Sequence, residues 1–139
     1  MNDPLFQVRL VLAGPAADAE PMTLTHTAQD PRDTVQEELH IQRIPLIDQT
    51  AVRSASVQRN PKTGSPEIGV VFTDQGRKRF AEITRENIGQ RLAIVIDGTL
   101  HSAPRIATEI SGGRCVLSGP FDSRQAFELA QKINDAVVQ

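Results

Sequence analysis

Leu92-Ala93-Ile94-Val95-Ile96 is the longest uninterrupted apolar run in the chain, and Asp97-Gly98 follows it directly. A short continuous run of branched aliphatics is the pattern of a central strand covered on both faces. Asp-Gly is a favoured pair for a two-residue type I′ turn, which needs positive φ at both positions. The chain must therefore organise itself around one buried strand that reverses at Gly98, with Thr99 to Ala103 folding back beside it.

Other segments supply the layers that would cover it. Phe6 to Val11 alternates apolar and polar residues, the two-residue period of a half-buried strand. Val35, Leu39 and Ile41 alternate with Glu38, His40 and Gln42, and Pro45 ends that strand. Asp48-Gln49-Thr50 forms a single capped turn. Val52 to Arg59 and Glu67 to Phe72 make a hairpin around Asn60-Pro61-Lys62-Thr63-Gly64. Arg114 to Ser118 is a further strand behind the Gly112-Gly113 turn. Ala13 to Pro21 reads as loop, Met22 to Thr25 as a short extended piece, and His26 to Asp33 as a polar connector.

Two helices complete the reading. Thr73 caps the first, with Asp74 in its first turn, Phe80, Ile83 and Asn87 or Ile88 near one face, and a stop at Asn87/Gly89. The last opens after Gly119-Pro120, with Asp122 and Gln125 at capping-box spacing and a buried stripe of Ala126, Leu129 or Ala130, Ile133 and Val137. The expected fold is α+β: a largely antiparallel sheet with two helices packed on one face, in the order βββ(β)αβββα. One domain fills residues 1–139, structured from 5 to 137 and loop-rich over 13–34.

Composition narrows the function classes. Trp and Tyr are absent and there are five Phe, so the core is mainly Ile, Leu and Val and offers few stacking platforms for bases. With 15 basic and 17 acidic residues, the chain has no field to attract nucleic acid or an anionic membrane. The five-residue apolar run is far short of the ~18–20 residues of a membrane helix. Met1-Asn2-Asp3-Pro4 lacks the pattern of a signal peptide, and a leader already removed stays open. The single cysteine, Cys115, rules out an internal disulfide and a multi-cysteine metal site; within a strand it serves as a small apolar residue.

Candidate chemistry is thin. His101 and Ser102, with Asp97, carry the residue types of a hydrolase, but neighbours in a strand point to opposite faces while a nucleophile and its base must meet. Glu38 and His40 share a strand face without the further donors a metal ion requires, and His26 sits in a connector. Gly112-Gly113 leads into a strand instead of the helix N-terminus that a phosphate loop uses. Arg77-Lys78-Arg79 and Arg85 interleave with Asp74, Glu82 and Glu86, the pattern of a solvated ion-paired face. The residues assign no catalytic, cofactor or metal site.

The series Phe72-Thr73-Asp74-Gln75-Gly76, Phe80-Ala81, Thr84, Asn87-Ile88-Gly89, Leu92 to Gly98, Ser102-Ala103-Pro104, Ile106, Ile110-Ser111-Gly112-Gly113, Ser118-Gly119-Pro120-Phe121 and Leu129-Ala130 resembles the head of the first periplasmic domain of SecD. Weaker similarity at Phe6 to Val11 and at Leu46 to Val57 extends it over nearly the whole chain. The resemblance implies the head fold, an extracytoplasmic setting in the periplasm or cell envelope, and contact with extended or unfolded polypeptide during export or with other envelope proteins. It does not carry over the family's proton-coupled movement, whose membrane helices and base have no counterpart here. Anchoring through a segment outside these residues stays open.

Within that reading, Pro104 to Gly113 is the expected contact surface, with Ile106 and Ile110 as partly exposed apolar groups. Two other readings remain: a structural or assembly domain that binds no client, and, more remotely, a small-molecule enzyme with a deep polar-lined pocket.

Overall fold

A computed structural model describes residues 5–27, 34–118 and 122–137. Among these, the strands are β1 (Phe6–Leu12), β2 (Ala19–Thr27), β3 (Thr34–Gln42), β4 (Ile47–Asp48), β5 (Val52–Arg59), β6 (Pro66–Phe72), β7 (Leu92–Ile96), β8 (Thr99–Ser102) and β9 (Arg114–Leu117). Helix α1 (Asp74–Glu86) lies between β6 and β7, and α2 (Ser123–Val137) closes the chain. The class is α+β.

β7 holds the position its composition demands. It lies between β1 and β8 in a sheet ordered β2-β3-β1-β7-β8, and all five of its residues are buried. Leu92, Ile94 and Ile96 enter the main core, while Ala93 and Val95 enter a second cluster on the opposite face. Asp97 (φ 53°) and Gly98 (φ 80°) make the reversal, both in the left-handed region that a type I′ turn requires.

The strands divide between two sheets, where the sequence pattern suggested one. β5, β6 and β9 form a separate antiparallel sheet in the order β5-β6-β9. A strand has only two edges. One edge of β1 is taken by β7, and the other is shared by β4 at Gln7-Val8 and β3 at Val11-Leu12. The β5–β6 hairpin thus has no edge of β1 to join, and finds β9 instead. Its inward row (Val52, Ala55, Ile68, Val70, Phe72) faces the β1/β7 row across the main core. Phe80 and Ile83 of α1, with Ala126, Ala130 and Ile133 of α2, complete that core.

A second correction concerns the segment 13–34, expected to be loop-rich. Nine of its residues form β2, in continuous register with β3 from Ala19↔Gln42 to Thr27↔Thr34. This places His26 in a strand; residues 28–33 lie outside the described set. Pro21 is tolerated because β2 is an outermost strand with one unpaired edge. The β2–β3 hairpin folds over the second cluster, bringing β2 against β8. Charge fastens it: buried Arg9 donates Nε to Gln7 Oε1 (2.7 Å) and Nη1 to Glu20 Oε1 (2.8 Å). Arg91 Nη1 reaches Glu37 Oε2 at 3.0 Å.

Local signals held at the helix ends. Thr73 Oγ1 accepts from Gly76 N at 3.0 Å. The α2 capping box is complete: Gln125 N donates to Asp122 Oδ1 (2.8 Å) and Asp122 N to Gln125 Oε1 (2.9 Å). The 3₁₀ turn Gln49–Ala51 is capped by Asp48, as its residues imply. That turn packs so closely on α1 that a Cβ at Gly76 would stand 2.3 Å from Ala51 O.

Gly76→Ala therefore tests the packing. On an unconstrained helix the change stabilises by ~1 kcal/mol. Here overpacking against backbone reverses the sign, and urea unfolding should show a loss of about 1–3 kcal/mol. A neutral or stabilising result would mean that α1 does not sit on the Gln49–Ala51 turn.

Candidate functional site

The expected contact surface, Pro104 to Gly113, is a strap laid along α1. It leaves β8 by extending the ladder, with Leu92 N donating to Pro104 O (2.9 Å), Ile106 N to Gln90 O (2.7 Å) and Gly89 N to Ile106 O (2.8 Å). It then runs back toward the start of the helix. Ile110 N donates to Thr84 Oγ1 (2.9 Å), and Gly113 O accepts from Phe72 N (2.9 Å). Thr84 is buried, and its hydroxyl also bonds Phe80 O at 2.9 Å, so it clips the strap to the helix. Gly113, at φ 81°, has the Arg77 side chain 3.1 Å from where a Cβ would stand.

This geometry separates the two residues assigned to the surface. Ile106 is 3% exposed and belongs to the main core, so the expectation of partial exposure fails there. Its pairing with Gly89-Gln90 keeps the strap extended and aims the side chain inward. Ile110, beyond the ladder, is 36% exposed. Ile88, read from the sequence as near the buried helix face, is 55% exposed because the helix has already ended at Glu86. Ile88 and Ile110 both belong to the Thr84 end of α1.

A second apolar opening lies between α2 and β5. Phe127 is 61% and Val57 37% exposed, and they flank a groove of about 510 Å³ floored by Ala55 and Ala130. Asn134 closes one end with both arms of its amide: Oδ1 accepts from Ala55 N and Nδ2 donates to Ala55 O, each at 2.8 Å. Phe127 of α2 stands at the margin of the core. Nothing local distinguishes it, because its exposure depends on how far α2 overhangs β5. Phe121 lies outside the described residues.

The residues with chemical potential are not brought together. His101 and Ser102 follow each other on β8, and no hydrogen bond joins them among the described residues. Asp97 accepts from Lys132 Nζ at 3.1 Å, tying α2 to the β7–β8 turn. His101 borders a cleft of about 360 Å³ between β2, β8 and α2, and burial, then nearby Lys132, lowers its pKa. Glu38 and His40 lie on β3; no group of three or more His, Cys, Asp or Glu is placed to hold a metal ion among the described residues. Arg79 pairs with Glu82 on α1, in keeping with a solvated ion-paired face. Among the described residues no helix is long and apolar enough to cross a membrane.

Cys115 packs against the main core from β9, and burial pushes its thiol up to about 12. At pH 8 the thiol then stays almost wholly protonated, and the thiolate is the reactive form. The folded protein should be inert to Ellman's reagent at that pH and react once unfolded in urea. Rapid reaction without denaturant would contradict the packing of β9.

These features define a two-sheet α+β domain whose distinguishing surfaces are apolar margins. Residues 24–136 match the family model described as SecDF, P1 head subdomain, and the chain belongs to that family. It is 45% identical over 85 residues to the protein translocase subunit SecD of Sebaldella termitidis, an alignment covering 61% of this chain and 21% of that protein. Against SecDF of Thermus thermophilus the identity is 46% over 67 residues, 48% of this chain and 9% of that one. The chain thus spans about a fifth or less of these relatives. Among solved structures, SecDF in a super-membrane-facing form superposes with a TM-score of 0.70 at 30% identity, over 94% of this chain and 18% of that one. A SecDF structure described as a membrane component that enhances protein export gives 0.67 at 27% identity, over 96% of this chain and 61% of that one.

Proposed function

We propose that this chain is a non-enzymatic, extracytoplasmic domain of a protein-export component, and that it contacts extended or unfolded polypeptide. Family membership supports the export setting, since the relatives are protein translocase subunits. The observation that carries the contact role is the exposure of Ile88 and Ile110 at the strap's junction with α1. Both are branched aliphatic side chains at a place where the backbone is already hydrogen-bonded, so the exposure is not needed to complete the fold. An unfolded segment could cover them through its own apolar side chains.

The test uses reduced, carboxymethylated α-lactalbumin, fluorescently labelled, as a chain that stays unfolded at neutral pH. Anisotropy should show saturable binding, and the double variant Ile88→Glu/Ile110→Glu should weaken it at least ~10-fold, or 1.4 kcal/mol. Ile88 is 55% and Ile110 36% exposed, so both introduced carboxylates can reach solvent and the double variant should still fold, as its circular dichroism would show. Absence of binding up to about 100 µM would contradict client contact. If the domain instead formed a stable complex with a folded envelope protein, the assembly reading would replace this one.

A further inference from the structure

We infer that the outer edge of β5, beside Phe127, accepts an extended polypeptide as an added β-strand. The inference rests on the reading above for the nature of the occupant, but places it on a different surface from Ile88 and Ile110.

The hydrogen-bond register makes the case. In an antiparallel pair, opposed residues alternate between exchanging both backbone bonds with the partner and directing them away from it. Ala55 lies opposite Val70, yet its N–H and C=O are both bonded to the Asn134 amide. Ala55 thus points away from β6, and alternation gives Val57, opposite Ile68, and Arg59, opposite Pro66, the same outward direction. Pro66 has no N–H to offer, which suits a position where none is needed. β5 is the outermost strand of its sheet, so nothing pairs with these outward groups of Val57 and Arg59 among the described residues.

Asn134 shows which chemistry this edge takes. Its side-chain amide fills the Ala55 position with one donor and one acceptor, the pair that one residue of an incoming antiparallel strand would present. The next two outward positions, Val57 and Arg59, are left open, and Val57 lines the 510 Å³ groove. Strand addition of this kind draws affinity from main-chain bonds and selectivity from pockets for alternate side chains. Phe127 and Val57 supply one such apolar pocket. Two open positions fit a short stretch of backbone, so the capture would be weak and tolerant of sequence.

The experiment uses the ¹⁵N-labelled chain and an acetylated, amidated nine-residue peptide of alternating Val and Thr with a Lys at each end. On titration the Val57 and Arg59 amides should shift and exchange at least tenfold more slowly, and Phe127→Ser should weaken binding at least fivefold. Val57→Pro removes one outward donor without breaking a β5–β6 bond and should also weaken it at least fivefold. Should that variant fail to fold, exchange in the wild-type chain decides alone. Unchanged Val57 and Arg59 amides, with the unfolded chain still bound through Ile88 and Ile110, would overturn this inference and leave the proposed function standing. If neither peptide nor unfolded chain binds, both fall. Slow Val57 exchange in the peptide-free chain, at a sedimenting mass of two copies, would assign the edge to self-association and overturn it as well.

Discussion

Leu92 to Ile96 has neighbours on all four sides: β1 and β8 on its two edges, the main core on one face and the second cluster on the other. Burying a Leu, Ile or Val side chain is worth about 1.5–3 kcal/mol, so Leu92, Ile94, Val95 and Ile96 contribute strongly to holding the separate layers together. Their alternation also divides the labour. Leu92, Ile94 and Ile96 gather the helices and the small sheet, while Ala93 and Val95 give the β2–β3 hairpin a surface to cover. With Ala93 small, that hairpin can approach closely, and the Arg9–Glu20 and Arg91–Glu37 pairs fasten it.

Much of this was legible because it is local chemistry. Asp97-Gly98, the Thr73 cap, the Asp122/Gln125 box and the Asp48 turn each act within a few residues, and each formed as its residues dictate. What escaped depends on distant edges. β2 carries only Met22 and Leu24 as large apolar groups, with Pro21 among them, and becomes a strand because β3 offers it a full register. The division into two sheets rests on which distant strands pair, β3, β4 and β7 with β1 but β9 with β6, and no single segment encodes that. Ile106 turned inward because the strap is held by Gly89-Gln90, a contact invisible in the spacing of Ile106 and Ile110.

The same distinction explains why kinship was readable and action was not. The residues that carry the resemblance to the SecD head are turn formers and core residues, such as Gly98, Gly113, Phe72 and Phe80, and such residues specify a fold more than an activity. The proposed contact surfaces consist of what the fold leaves over: Ile88 and Ile110 where α1 ends, Phe127 where α2 overhangs, and the open backbone of β5. Asn134 and Ala55 are 79 positions apart, yet their pairing reveals that edge.

Native-state hydrogen exchange measures the claim about β7 directly. The amides of Ala93, Ile94 and Val95 should be the slowest in the molecule and exchange only through global unfolding, with a denaturant dependence equal to that of the whole chain. Faster exchange at these three positions than in β5 or β9, or exchange insensitive to denaturant, would show that the fold is not built around this strand.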